Sequence, residues 1–198
     1  TLQVRSYGEF GEGAWRCLVQ FDLASIPAGA FIQSAQLRLY IMERSGGART
    51  YQAYRITSSW TELGVTWNNQ PTVADTPTAS VSTGTTAGVW LSWDITSDVQ
   101  AWVGGSASNY GILIRDLTES SNTIYLGYFS SREYDTETLR PKLEVTYTPP
   151  DFSVSPSPTS RTINQGQSTT YTITVTLVSG SPQPVSLSLS GQHETMTY

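Results

Sequence analysis

The sequence predicts an all-β protein: an antiparallel β-sandwich, jelly-roll-like in its connections, with one or two short helices and a small β segment appended at its C-terminal end. Three observations predict it. Apolar and polar residues alternate with period two over long stretches, and Pro/Gly turns recur roughly every dozen residues. Charged residues make up only 14% of the chain, where soluble domains average about 25%. Alternation of this kind is what a sheet with one face in the core and one in water requires, because successive side chains of a strand point to opposite faces. With 198 residues and 38% hydrophobic content, the chain holds one full-sized core and a remainder too short for a second large domain.

Taken in order, AWRCLVQFDL (14–23) alternates apolar and polar positions and reads as a strand. SIPAGA (25–30) supplies a turn, and FIQSAQLRLYIM resumes the alternation. It puts Ala35, Leu37, Leu39 and Ile41 on one face and Gln36, Arg38, Tyr40 and Met42 on the other. A turn at SGGA leads to RTYQAYRI, a further strand. Two helical interruptions follow. Ser59-Trp60-Thr61-Glu62 has the S-x-x-E spacing of a capping box and predicts a single helical turn. In ITSDVQAWVGG, Thr96 is placed to cap, Asp98 lies in the first turn, Ile95, Val99 and Val103 share a face, and Gly104-Gly105 end the helix. YGILIR, TIYLGYFSS and KLEVTYT, which ends at Thr148, complete the strands of this part.

Composition excludes several functions. Net charge is −5 and the 11 basic residues form no run, which argues against a phosphate-tracking surface and a nucleic-acid partner. Cys17, the only cysteine, alternates with Trp15, Val19 and Phe21 and reads as a small buried hydrophobe. The single histidine, His193, stands in a polar tail. One His and one Cys leave little material for a zinc site, a Ser-His-Asp triad or a Cys-His pair, and no cofactor is expected. No stretch approaches the ~18 apolar residues of a membrane-spanning helix.

Thr148-Pro149-Pro150-Asp151 then interrupts the chain, since two prolines serve neither helix nor ladder. Beyond it the composition shifts to Ser, Thr, Val and Pro without tryptophan. The expected organisation is a sandwich over 1–148, a linker over 149–151 and a β segment over 152–198. That segment contains three strand-like runs, DFSVSPSPTSRTINQGQ, STTYTITVTLV and PVSLSLSG. Three strands do not close a sandwich and an isolated small sheet is marginal in water, so this piece is expected to pack on something else or be completed by another chain.

The succession RCLVQFDLASIPAGAFIQSAQLRLY, YRITSSWTELGVTWNNQP, WLSWDITSDVQAWVGGSASNYGILIR, FSSRE and RPKLEVTY resembles the DNRLRE domain family. That family is related to disaggregatase-associated β-sandwich modules and to a group of alginate-binding carbohydrate modules. The resemblance runs in order over almost all of residues 1–148 and implies a non-catalytic, extracellular or cell-surface module that binds polysaccharide. The tail from Asp151 resembles the opening strands of immunoglobulin-like repeats of bacterial and archaeal surface proteins. Members of the family usually begin with one more strand, and the immunoglobulin-like tail lacks its later strands. Both ends are therefore expected to be open, either as a segment of a longer protein or as edges completed by identical subunits through strand addition.

Candidate chemistry follows from residue types. The acidic residues that could pair as glycosidase carboxylates are Glu62, Asp94, Asp98, Glu133 and Asp135, but nothing in the sequence brings two of them together. Glu62, Asp94 and Asp98 read better as turn or helix-start residues. Sugar faces stack on aromatic rings and acidic sugars attract guanidinium groups, so the expected ligand surface combines Arg and Tyr. Arg38 and Tyr40 share the outward face of one strand, Tyr54 and Arg55 lie on the next, and Arg115, Tyr125, Tyr128 and Arg132 decorate two late strands. The ligand expected there is a polysaccharide, with acidic polymers included. The competing reading is that these side chains cover a sheet face and pair with Glu43, Glu133 or Glu144. Trp60 and Trp67 bracket a turn, and Trp93 and Trp102 bracket the short helix, so they read as packing groups; Trp15 and Trp90 are the reserves for sugar stacking. Structural calcium is compatible with the acidic, carbonyl-rich loops, although no Asp-x-Asp-x-Asp loop is present. The alternative function is a subunit of a surface filament, with Val4, Tyr171–Val175 and Val185–Leu189 in ladders between copies.

Overall fold

The computed structural model describes residues 1–6, 13–121, 123–188 and 190. His193 and the end of the third predicted tail strand lie outside them. The strands are β1 (Leu2–Arg5), β2 (Cys17–Val19), β3 (Phe31–Ser45), β4 (Thr50–Arg55), β5 (Ala79–Ser82) and β6 (Val89–Asp94), then, after helix α1 (Thr96–Val103), β7 (Ile112–Asp116), β8 (Leu126–Phe129) and β9 (Lys142–Thr148). A hairpin of β10 (Asp151–Ser157) and β11 (Thr172–Ser179) completes the order.

Two antiparallel sheets face each other. The first runs β1-β8-β3-β6 with β9 also on β3, and the second runs β2-β7-β4-β5. The length of β3 makes the first sheet possible. Its first half pairs with β9 (Leu37↔Leu143), its second half with β8 (Ser45↔Leu126), and its other edge with β6 (Leu39↔Leu91).

The alternation read from the sequence holds along β3: Ala35, Leu37, Leu39 and Ile41 are each 0% exposed. Opposite them Cys17, Val19, Ile112, Ile114, Tyr51 and Ala53 supply the second layer. Burial pushes the Cys17 thiol up to about 12, so it stays protonated and acts as a small hydrophobe. Trp93 is 0% exposed, contacts Phe129 edge-on at 6.5 Å, and donates its indole N–H to the Tyr51 carbonyl at 3.0 Å, a bond that ties one sheet to the other. Gly127 makes room for the Tyr51 ring, because a Cβ there would stand 2.8 Å from the Tyr51 hydroxyl.

Both helical expectations are modified. Helix α1 forms over Thr96–Val103, but Asp94 rather than Thr96 satisfies its start, accepting from the Thr96 amide at 3.0 Å and hydroxyl at 2.6 Å. The Thr96 hydroxyl oxygen is occupied as acceptor for the Ala35 amide of β3. Ser59–Glu62 is not a capping box. The turn begins at Thr61, whose carbonyl accepts from Gly64 and Val65, and the short 3-10 helix comes later, at Trp67–Asn69. Asn69 reaches back there, its Oδ1 accepting from the Thr66 amide and hydroxyl while its side-chain NH2 donates to the Gly64 carbonyl. A short polar side chain closing its own turn suits this loop better than a long glutamate.

The tail contributes a two-stranded ladder, with Phe152↔Leu177, Val154↔Val175 and Pro156↔Ile173 in register. The third expected strand is absent among the described residues, where 183–188 carry no strand.

Candidate functional site

Among the described residues, edge strands β1 and β2 of the two sheets are joined at one side of the sandwich by the Arg5–Trp15 backbone pair at 3.1 Å. A cleft of about 490 Å³ occupies this side. Trp15, Gln3 and Gln20 line it from the strands, Trp60, Glu62 and Val65 from the loop after β4, and Ser131, Arg132, Glu133 and Pro141 from the loop after β8. A smaller depression of about 270 Å³ adjoins it, sharing Trp15, Arg16, Leu18 and Val65 and adding Trp67 and Gln70.

The aromatic rings at this cleft are held in place rather than loose. Trp15 is 40% exposed with the Arg5 guanidinium 4.9 Å from its ring, and Trp67 is 56% exposed with Arg16 at 4.8 Å. Arg16 is itself fixed by a two-pronged bond to Glu119 at 2.7 and 2.6 Å and by donation to the Gln70 side chain at 2.9 Å. Gln70 in turn donates to the Trp67 carbonyl. Trp60 donates its indole N–H to the Tyr110 carbonyl at 2.7 Å. A bidentate guanidinium–carboxylate pair with extra hydrogen bonds is the geometry that fixes orientation best, so the aromatic surface exists before a ligand arrives.

Arg132 is the charged centre of the cleft. Its guanidinium lies 3.0 Å from Glu62 and 2.5 Å from Glu133, and its side chain is 73% exposed. The hydrogen bond from Arg132 holds the Glu133 carboxyl below the usual carboxylate range. Two of the carboxylates considered for catalysis are thus brought together, but around an arginine that pairs with both. The others are elsewhere: Asp94 starts α1, Asp135 is exposed on the loop before β9, and Asp98 is 5% exposed in the first turn of α1. Asp98 accepts from the Thr78 hydroxyl at 2.6 Å and lies 3.8 Å from Arg55. Burial raises its carboxyl above the usual range despite both partners.

The Arg/Tyr set expected to form one ligand surface is distributed over four places. Arg38 and Tyr40 do share the outer face of the first sheet, around Trp90: Arg38 lies 5.2 Å and Lys142 4.8 Å from its ring, and Tyr40 meets it edge-on at 5.4 Å. Arg38 is also paired with Glu144 at 2.9 Å. Tyr128 is on the same sheet, opposite Gln3 and Glu43. Tyr54 and Arg55 are not on the neighbouring strand, because β4 belongs to the other sheet. Tyr54 is 4% exposed, its hydroxyl bonded to Gln52 and its ring carrying Arg115 at 4.1 Å, so it offers no free face. Arg55 points toward Asp98. Tyr125 supports Arg49 at 4.2 Å, and Arg49 grips the buried Asp116 with two bonds of 2.7 Å. Only Arg132 reaches the cleft.

Trp67, expected to pack at the rim, is instead among the most exposed large side chains of the sandwich, while Trp93 is wholly buried and Trp102 packs against the core. Trp15, held in reserve for stacking, lines the cleft. The signal that could have marked Trp67 is the Asn-Asn-Gln run after it: three amides beside a turn are there to brace a loop, and a braced loop can hold a ring out in solvent. Among the described residues no cluster of His, Cys, Asp or Glu is arranged to hold a metal ion, and no helix is long and apolar enough to cross a membrane.

A two-layer antiparallel sandwich with a preformed aromatic cleft at one side and polar groups at its rim has the architecture of a carbohydrate-recognition module. The chain belongs to Carbohydrate-binding module family 96, whose family model matches residues 1–147. Such modules are non-catalytic as a class. No curated protein matches the chain.

Proposed function

We propose that this chain is the carbohydrate-binding part of a larger extracellular or cell-surface protein, and that its polysaccharide lies in the cleft between β1, β2 and the 59–70 loop. One observation carries the assignment of the cleft: Trp15 and Trp67 stand 40% and 56% exposed, each propped by a guanidinium, Trp15 lining the cavity of about 490 Å³ and Trp67 the depression of about 270 Å³ that adjoins it. Large aromatic side chains left in water on rigid supports are the surface on which the apolar face of a sugar ring stacks. Within the family, the order of the WTELGVTWNNQP and WDITSDVQAWVGG blocks supports the DNRLRE type for residues 1–148. The Ser/Thr-rich alternation of β10 and β11 supports an immunoglobulin-like segment after the linker at 149–151.

The location is tested by affinity electrophoresis and calorimetry against a panel of soluble polysaccharides. Trp15→Ala is expected to weaken binding at least tenfold, whereas Trp90→Ala on the outer face of the first sheet leaves it within about twofold. The reverse pattern would move the site to the Arg38, Tyr40 and Trp90 face. The filament alternative has less support, since Val4, which it places in a ladder between copies, is 0% exposed and pairs with Gly127 of β8 in the same chain.

A further inference from the structure

Given the reading of the cleft as the sugar site, the support behind Trp67 bears on how a glycan is held there. Trp15 and Trp67 come from distant parts of the chain, the residues just before β2 and the loop after β4, yet both line the depression of about 270 Å³, and Trp15 lines the larger cavity as well. Arg16, next to Trp15 in sequence, lines both hollows. Its guanidinium lies 4.8 Å from the Trp67 ring, and its Nη1 donates to Gln70, whose side-chain NH2 donates in turn to the Trp67 carbonyl. Trp67 is thus tied to Arg16 through its ring and through its backbone.

Arg16 needs an anchor of its own, because an arginine side chain carries about 2 kcal/mol of rotamer entropy and does not hold one place over a ring unaided. Glu119, in the loop after β7, supplies it. One carboxylate oxygen accepts from Nε at 2.7 Å and the other from Nη2 at 2.6 Å, which leaves Nη1 for Gln70. The two side chains are only 22% and 21% exposed, so the pair is shielded from water and fixes direction as well as distance. Glu119 itself lines neither hollow. We propose that Glu119 is a positioning residue for glycan binding: acting through Arg16, it holds Trp67 as a second platform, so that neighbouring units of one chain rest on Trp15 and Trp67.

The test uses the full chain and four probes, alginate, polygalacturonate, mixed-linkage β-glucan and galactomannan, titrated in about 500 mM NaCl so that a changed surface charge is largely screened. Toward the polymer bound most tightly, Trp67→Ala is expected to weaken binding about tenfold and Glu119→Gln about fivefold. Arg16→Lys, which keeps the charge but not the planar fork, should lose as much as Glu119→Gln. In the Trp67→Ala background Glu119→Gln should change affinity by less than about twofold, because the ring it positions is gone. A reading without ligand accompanies these: in protein carrying 5-fluorotryptophan, the fluorine NMR line that vanishes in Trp67→Phe should shift in Glu119→Gln while the line of the buried Trp93 stays in place. A Trp67 line that does not move, an equal loss from Glu119→Gln with and without Trp67, or tighter binding in Glu119→Gln, which would make Arg16 itself the sugar's partner, overturns the positioning role while leaving the cleft as the sugar site. Binding that survives both Trp15→Ala and Trp67→Ala, or no binding to any of the four polymers, overturns the cleft assignment and this inference together.

Discussion

Strand β3 and the β10–β11 hairpin are written in the same alternating pattern and end in opposite environments. Along β3 the apolar positions Leu37, Leu39 and Ile41 are each 0% exposed, whereas in the hairpin Phe152, Val154, Ile173, Val175 and Leu177 are between 39% and 48% exposed. Both place their apolar residues on one face, as the hairpin register Phe152↔Leu177, Val154↔Val175 shows. The difference is the second layer. Behind β3 stand Tyr51, Ala53, Ile112 and Ile114 of the opposing sheet, and behind the hairpin no comparable sheet is described. Alternation selects a face, but burial needs a partner for that face, and about 25 cal/mol per Å² is gained only when water is displaced.

The largest effect that would sharpen this contrast comes from the core. Trp93→Ala removes a wholly buried ring and the indole N–H bond to Tyr51 that links the sheets, so urea unfolding should show a loss of about 3–5 kcal/mol. A loss under about 1 kcal/mol would mean that the two layers are less interdependent than their packing implies.

A smaller, pH-dependent effect distinguishes two carboxylates four residues apart. Hydrogen bonds from the Thr96 hydroxyl and amide lower Asp94, whereas burial raises Asp98. The stabilisation from Asp94 is present above its unfolded value and lost as pH falls through its lower folded value, so Asp94→Ala should cost about 1 kcal/mol at pH 7 and progressively less in acid. Asp98 has the opposite sign: the folded protein holds its proton more tightly, and its charge opposes folding once pH rises through the raised value. Asp98→Asn, which keeps an acceptor for Thr78, should therefore be at least as stable as the parent at pH 7 and lose that advantage toward pH 4. Denaturant midpoints measured from pH 2 to 7 decide both, and parallel slopes in the two variants would count against the opposite signs.

The smallest effect belongs to the hairpin. Val175→Ser should change stability by under about 0.5 kcal/mol, and a chain ending at residue 150 should melt within about 2 °C of the full chain. A larger drop in either would show that the exposed face supports the sandwich and would erase the contrast with β3.

Much of this was legible from residue order. The face of β3, the span and packing face of α1, the burial of Cys17 and the break at Pro149-Pro150 all rest on local pattern. The pairings of Arg38 with Glu144 and of Arg132 with Glu133 follow the competing reading of those arginines as partners of nearby acids. The site was less legible. Arg38 with Tyr40 and Tyr54 with Arg55 looked like neighbours because their strands follow one another in sequence, yet β3 and β4 lie in different sheets. Trp67 looked like a packing group because tryptophan usually is one, and the amides that hold it outward act through a turn that only the folded loop displays.

By itself, then, the sequence determined the fold class and the inward faces of the strands, because those depend on periodicities of two and 3.6 residues and on turn chemistry that act locally, while the kind of module was implied by the resemblance of its tryptophan-bounded blocks to a known family. Only the tertiary structure decided which of the Arg, Tyr and Trp side chains share a surface. That grouping depends on which strands enter which sheet and on loops separated by dozens of residues, as when Glu62 and Glu133 meet at Arg132, and nothing in the local spacing of either residue encodes their meeting.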